Sequence, residues 1–301
     1  MPRLLITGGA GFIGSHTCLV LLEAGHQLLV LDDFSNSSPV ALERVKELAG
    51  IHPDGEHLQL VTGDVRDAAL LEQLFSDASA SGAPIEAVIH FAGLKAVGES
   101  VAKPLHYWDV NVNGSRALLA AMDAHGCRVL VFSSTSTVYG EPEIFPLTET
   151  TSTNPIHPYA QTKLAVEQML RALTISGPWK VASLRYFNPV GAHQSGRIGE
   201  DPLGIPNNLF PFITQIAAGR LAKLRIFGDD YSTPDGTGIR EYLNVMDLAE
   251  AHAAAVNQLL QAKAPIELTL NLGTGQGLSV LDVVRGFKES TGISIPYEVV
   301  E

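Results

Sequence analysis

The sequence predicts an α/β protein: a doubly wound parallel sheet followed by a smaller, less regular C-terminal lobe. Three observations carry this. Short apolar runs alternate with helical patterns through residues 4–188. Continuous apolar strands separated by helices are those buried on both faces of a parallel sheet. The stretch Gly8-Gly9-Ala10-Gly11-Phe12-Ile13-Gly14 stands between the first apolar run and the first helical one. The rhythm changes after residue 189, where Pro189 to Pro211 is rich in Gly, Pro and Asn and has no clear period.

In chain order, Leu4 to Thr7 reads as a buried strand and Phe12 to Ala24 as a helix that Gly25 stops. Leu28 to Leu31 is the second strand, ending at Asp32, and Ser35 to Ser38 is a polar turn. Further strands are expected at Leu58 to Val61, Ala87 to Phe91, Val129 to Phe132 and Val181 to Leu184. Helices are expected at Ala68 to Phe75, Leu105 to His125 and Tyr159 to Ser176. Shorter pieces follow: helices at Phe212 to Ala218, Val245 to Leu260 and Val280 to Ser290, with strands at Leu224 to Phe227, Leu268 to Leu272 and from Pro296 onward. The chain thus divides into residues 1–188 and a lobe of residues 189–301 that closes over the sheet's carboxyl edge.

Composition bounds the function. The chain has 301 residues, 46% of them hydrophobic, enough for one large domain or two closely packed ones. A net charge of −12 disfavours nucleic acid and anionic membranes as partners. A phosphorylated ligand must therefore be held locally. Cys18 and Cys127 make no disulfide framework and no zinc motif, and read as buried small hydrophobes. The ten histidines show no metal-ligand spacing, so no metal is expected, and His90 reads as a core residue. No apolar stretch approaches the ~18 residues of a membrane span, and the N-terminus shows no signal region. A cytoplasmic protein is expected.

The glycines suit a dinucleotide. Gly8, Gly11 and Gly14 allow a tight turn, close approach of backbone to pyrophosphate and tight helix–strand packing; Gly9, Gly11 and Gly14 also fit G-x-G-x-x-G. Phe12 and Ile13 open the helix, whose N-terminal N–H groups face the phosphates. Asp32 ends the second strand, where a carboxylate accepts from a ribose hydroxyl and repels a 2′-phosphate, favouring NAD over NADP. Asp33 competes for that role, and Asn36 and Ser37 follow in the polar turn. Asp64 and Val65, after the third strand, suit the adenine, unless Asp64 only caps its turn. Phe91-Ala92-Gly93 permits close backbone approach after the fourth strand, and Lys95 supplies a local cation or a solvated one.

A second set of residues suits proton transfer. Tyr159 and Lys163 lie at i and i+4 on one helix face, with Pro158 setting the first turn. A phenol titrates near pH ~10, and a fixed neighbouring cation favours the phenolate. The hydroxyl run Ser133 to Thr137 ends the fifth strand, where open α/β sheets bind ligands. Some of these hydroxyls serve only as turn caps. A dinucleotide loop with a Tyr/Lys pair implies hydride transfer coupled to proton transfer.

The chain resembles the extended short-chain dehydrogenase/reductases, and within them the UDP-glucose 4-epimerase family. The resemblance rests on residues 7–16, His90-Phe91-Ala92-Gly93-Leu94-Lys95-Ala96-Val97-Gly98-Glu99-Ser100, residues 184–193, Gly204-Ile205-Pro206-Asn207-Asn208-Leu209 and residues 235–242. It implies a Rossmann-type fold, tightly held NAD, UDP-glucose and UDP-galactose as substrates, and epimerisation at C4 through a 4-keto sugar. It further implies that Tyr159 takes the proton of the 4-hydroxyl, that Thr135 stands where the family usually has Ser, and that Lys163 binds the nicotinamide ribose. Phe187 is implied to border the nicotinamide and Asn111 to join the cofactor set. Lys95, Asn188, Asn208, Leu209, Phe227 and Arg240 are implied to hold the sugar nucleotide, Arg240 at the diphosphate. The family runs several dozen residues past position 301, so the resemblance implies a chain lacking a segment that supplies another arginine and a gate for sugar size. It also implies a homodimer through a four-helix contact. Two other readings share the fold: a sugar-nucleotide 4,6-dehydratase, disfavoured because Ser136 and Thr137 stand where an acidic pair is needed, and a non-catalytic binding protein.

Overall fold

A computed structural model describes residues 2–52, 55–204, 206 and 208–300. The first six strands are β1 (Arg3–Thr7), β2 (Gln27–Asp32), β3 (Leu58–Thr62), β4 (Ile85–His90), β5 (Val129–Thr135) and β6 (Lys180–Tyr186). After them come β7 (Asn188–Val190), β8 (Leu224–Phe227), β9 (Ile239–Asn244), β10 (Ile266–Leu272), β11 (Gly277–Ser279) and β12 (Tyr297–Val300). The helices are α1 (Phe12–Glu23), α2 (Pro39–Leu48), α3 (Ala68–Ala80), α4 (Val97–Ala102), α5 (Pro104–Tyr107), α6 (Gly114–Ala124), α7 (Pro158–Ser176), α8 (Leu209–Ala217), α9 (Val245–Gln261) and α10 (Val280–Thr291).

Seven strands form one sheet in the order β10-β6-β5-β4-β1-β2-β3, every pair parallel. The order 3-2-1-4-5-6 within it is that of a Rossmann sheet. Successive strand side chains point to opposite faces, and the core divides accordingly. Leu4 and Ile6 of β1 and Ala87 and Ile89 of β4 pack with α1, α2 and α9. Leu5 and Val88, from the same strands, pack with α3, α6 and α7 on the other face. Cys18 and Cys127 are buried in these two layers as free thiols.

The structure differs from the sequence reading in three places. The helix expected over Leu105 to His125 is broken into α5, a π-helical segment over Trp108–Asn113, and α6. The wider turn takes in an extra residue and re-aims Asn111. The chain does not stay in the smaller lobe after residue 188: α9 packs on α1, and β10 adds to β6 as the seventh strand. The smaller lobe also contains strands with no clear sequence signal, β7, β9 and β11, which form a sheet in the order β11-β9-β7, while the expected strands β8 and β12 pair with each other. Its own core gathers Ile213 and Ile216 of α8, Leu224 and Ile226 of β8, and Val283 and Val284 of α10.

Candidate active site

The carboxyl ends of the sheet strands and the smaller lobe enclose one cleft of about 2990 Å³. Ligand pockets are ordinarily about 300–1,000 Å³, so this one has room for a dinucleotide and a second ligand together. Every site residue expected from the sequence lines it, except Asn111.

The glycine loop is set by backbone contact. Gly8 has φ +72°, and a Cβ there would stand 2.6 Å from the Ala92 nitrogen. A Cβ on Gly14 would stand 2.3 Å from the Gly8 oxygen. Glycine is the residue that leaves this space to backbone and ligand. Gly11 caps α1, and the helix opens with Phe12 and Ile13 beside the cleft, N–H groups foremost. Asp32 braces the loop from below. Its Oδ2 accepts from Ala10 N at 2.9 Å, and its Oδ1 from Phe34 N at 3.0 Å and Ser37 Oγ at 2.7 Å. Asp33 Oδ1 accepts instead from Ser35 N at 2.9 Å, and Asn36 Oδ1 from Leu203 N at 3.3 Å. These spaces and donors fit a dinucleotide laid along β1, α1 and β2.

Two residues are committed elsewhere. The Asp64 carboxylate is taken by Arg66, whose guanidinium holds it below the usual carboxylate range. Asn111 spends its amide on structure. Its Oδ1 accepts from Leu94 N at 2.8 Å, and its Nδ2 donates to Leu94 O at 3.1 Å and Thr162 Oγ1 at 3.0 Å. The π-helical turn aims it at the loop after β4, where it touches Gly93 from behind. It supports that loop rather than facing the cleft.

Helix α7 is capped by His157, whose Nδ1 accepts from Ala160 N at 3.2 Å. Tyr159 therefore sits in the first turn and Lys163 one turn on. Lys163 Nζ donates to Ser133 O at 2.9 Å and lies 4.9 Å from the Phe132 ring centroid. Burial pulls the Lys163 ammonium down to about 8, against the attraction of Glu167. Burial pushes the Tyr159 phenol up to about 12, and the Thr135 hydroxyl opposes it by a hydrogen bond. The phenolate expected from the sequence is thus not favoured by burial, and needs positive charge nearby.

On the smaller lobe, Asn188 Nδ2 donates to Glu241 O at 3.0 Å, and Arg240 Nη1 to Ile239 O at 2.7 Å. Leu209 opens α8, and Phe227 is exposed beneath Arg225, whose guanidinium lies 5.5 Å from the ring. Glu200 was not expected: its Oε1 accepts from Asn208 Nδ2 at 3.1 Å and Lys95 Nζ at 3.5 Å, bridging two expected site residues. It is 105 positions from Lys95, and no spacing signals that pair. Ile205 and Asn207 of the motif before α8 lie outside the described residues.

Fold and cleft together define a dinucleotide-binding protein of the short-chain dehydrogenase/reductase type. A sequence profile of the NAD dependent epimerase/dehydratase family matches residues 4–273, and the chain belongs to that family. It is 51% identical over 295 residues to a UDP-glucose 4-epimerase of Bacillus subtilis (strain 168), spanning 98% of this chain and 84% of that protein. It is 52% identical over 298 residues to UDP-glucose 4-epimerase 1 of Oryza sativa subsp. japonica, spanning 98% and 82%. The crystal structure of UDP-glucose 4-epimerase from Bifidobacterium longum in complex with NAD+ and UDP superposes with a TM-score of 0.92 at 46% identity, covering 99% of this chain and 86% of that one.

Proposed function

We propose that this chain is an isomerase catalysing the NAD-dependent, reversible 4-epimerisation of UDP-glucose and UDP-galactose through a 4-keto-hexose. The observation that carries the reading is the meeting of Thr135, Tyr159 and Lys163 in one cleft, between the glycine loop and the smaller lobe. NAD bound along the glycine loop supplies reversible two-electron oxidation at the sugar's C4. Gly8, Gly11, Phe12, Ile13 and Gly14 receive its pyrophosphate, and Asp32, with Asp33, Asn36 and Ser37, its adenosine ribose. Val65 and the Asp64 backbone border the adenine, while Phe91, Ala92, Gly93 and Phe187 line the nicotinamide end.

The Tyr159 oxygen takes the proton of the 4-hydroxyl and returns it to the opposite epimer. Thr135 Oγ1 shares a hydrogen bond in that transfer. Lys163 holds the nicotinamide ribose and supplies the positive charge that the buried phenol needs. Arg240 faces the diphosphate, where a guanidinium fork suits paired oxygens. Lys95, Asn188, Asn208, Leu209 and Phe227 hold the rest of the sugar nucleotide. Residues 189–204, 206, 208–244 and 277–300 form this sugar-nucleotide wall, with 245–272 returned to the large sheet and its α9 face.

The test is conversion of UDP-galactose to UDP-glucose by the purified chain without added NAD. The expected result is turnover that Tyr159→Phe lowers by at least about 100-fold. An inert wild-type chain that retains NAD would favour the binding-protein reading.

We further propose a cytoplasmic homodimer. Val101 on α4, Leu105 on α5 and Ile175 on α7 are 63%, 83% and 79% exposed, and these three helices are neighbours. A second copy would cover them in a four-helix contact, and a monomeric mass by light scattering would sink this. Buried free thiols suit a reducing compartment. Among the described residues no helix is long and apolar enough to cross a membrane.

A further inference from the structure

Behind the cleft lies a buried charged pair that the reaction above does not use. Glu167 follows Lys163 by one turn of α7, so both side chains leave the same helix face. The side chains of Glu167 and Arg185 are 9% and 8% exposed. Glu167 Oε1 accepts from Ser134 Oγ and, at 2.9 Å, from Arg185 Nε, while Oε2 accepts from Arg185 Nη2. Arg185 Nη1 donates to Tyr139 Oη at 3.0 Å, and Tyr139 donates to Asn271 Oδ1 on β10 at 2.6 Å. Two consecutive residues at the end of β5 are thereby tied to α7: the Ser133 carbonyl accepts from Lys163, and the Ser134 hydroxyl donates to Glu167. The next residue, Thr135, opposes the rise that burial imposes on the Tyr159 phenol.

A buried ion pair is weak support for a fold, because desolvation offsets its attraction and apolar residues of like volume often do as well. A role in the site accounts for it better. We propose that Glu167 is a positioning residue: anchored by Arg185, its carboxylate locks the β5 end against α7 and supplies the negative charge that holds Lys163 as an ammonium. This rests on the reading of Tyr159 and Lys163 as the proton-transfer pair.

The other titratable and charged groups around Lys163 do not supply that charge. Burial pushes His90 of β4 down to about 3, so it is neutral at working pH. Burial raises Tyr159 on α7 and Tyr186 on β6, so both phenols stay protonated as the protein's own groups leave them. Arg185 is a cation and is spent on Glu167. Glu167 is the group that opposes burial at Lys163.

The experiment is the pH dependence of kcat for UDP-galactose conversion by the purified NAD-containing chain. Wild type is compared with Glu167→Gln, Glu167→Asp and the double variant Glu167→Gln/Arg185→Met. Loss of the carboxylate lowers the Lys163 pKa, so the alkaline limb of the profile moves to lower pH by roughly one unit or more in both Gln variants. At neutral pH kcat falls several-fold while KM stays near wild type. The double variant removes the orphaned Arg185 cation and recovers the thermal midpoint lost in Glu167→Gln, yet keeps the displaced limb. Glu167→Asp keeps the charge and a limb at the wild-type position. A double variant with a wild-type limb, or Glu167→Asp displaced as far as Gln, overturns the proposal. An inactive wild-type chain in the same series would instead defeat the epimerase reading.

Discussion

The two walls of the cleft are built by different means. The glycine-loop wall is backbone against backbone: Gly8 lies against Ala92, and Gly14 against Gly8 and Gly9. The one carboxylate beneath it is buried and accepts three hydrogen bonds. The facing wall presents exposed side chains, Phe227 and Arg240 among them; Arg240 donates to the Ile239 carbonyl, and Phe227 lies under the Arg225 guanidinium. Close packing answers a perturbation abruptly, because an added atom has no room to relax. Solvated side chains answer in small steps. On the proposed reading, the first wall suits a ligand held fast and the second one that is gripped and released.

That contrast breaks first at the glycines. Gly14→Ala places a Cβ 2.3 Å from the Gly8 oxygen. The expected outcome is loss of co-purifying NAD, read as nucleotide released on heat denaturation, with a fall of about 1–3 kcal/mol in unfolding stability. Retained NAD would mean that the loop is looser than its contacts indicate. Next in size is Lys163→Met. Burial lowers this ammonium from 10.5 to about 8, so between those values the native chain binds fewer protons than the unfolded one. Stability then rises with pH through that window and is diminished by about 3 kcal/mol at neutral pH. The Met variant is expected to be inactive yet more stable by up to that amount, with a flatter stability profile in denaturant melts at neutral and alkaline pH.

Effects on the facing wall are expected to be smaller. Arg240→Ala should raise KM for UDP-galactose about tenfold, the worth of a charged hydrogen bond, with kcat within about twofold. A collapse of kcat instead would place Arg240 closer to the chemistry than its wall implies. Glu200→Gln removes one partner of a long, partly solvated ion pair with Lys95. Its expected cost is below about 1 kcal/mol in stability and about threefold in KM. A larger loss would mean that Glu200 organises Lys95 and Asn208 as one unit.

How much of this was legible varies along the chain for physical reasons. Strands β1 to β6 were, because a strand buried on both faces is a continuous apolar run. The glycine loop and the ends of β2, β3, β4 and β5 followed, since topology alone places those positions at the ligand edge. The π-helical turn was not, because one extra residue shifts phase without changing composition. Strands β7, β9 and β11 are short and mostly partly buried or exposed, so they carry little alternation. Helix α9 and β10 were foreseen as elements but not as parts of the large sheet, since pattern reports burial and not neighbours. Asn111 enters the cofactor set only through the family resemblance; its hydrogen bonds to Leu94 and Thr162 depend on the π-helical turn, which the sequence does not signal. Glu167 carried one usable signal, its spacing from Lys163, whereas its anchor Arg185 becomes a neighbour only when β6 pairs with β5.

The seventh strand has a consequence for how the molecule is made. β10 pairs with β6, and residues 187–265 stand between them in the chain. During synthesis β6 leaves the ribosome with its outer edge bare, and it stays bare until residue 272 has emerged. An unpaired edge of this kind is a template for a foreign strand, and parallel pairing across so long a connection is slow. That interval covers the smaller lobe up to α9, so the edge of β6 is open to other strands throughout it.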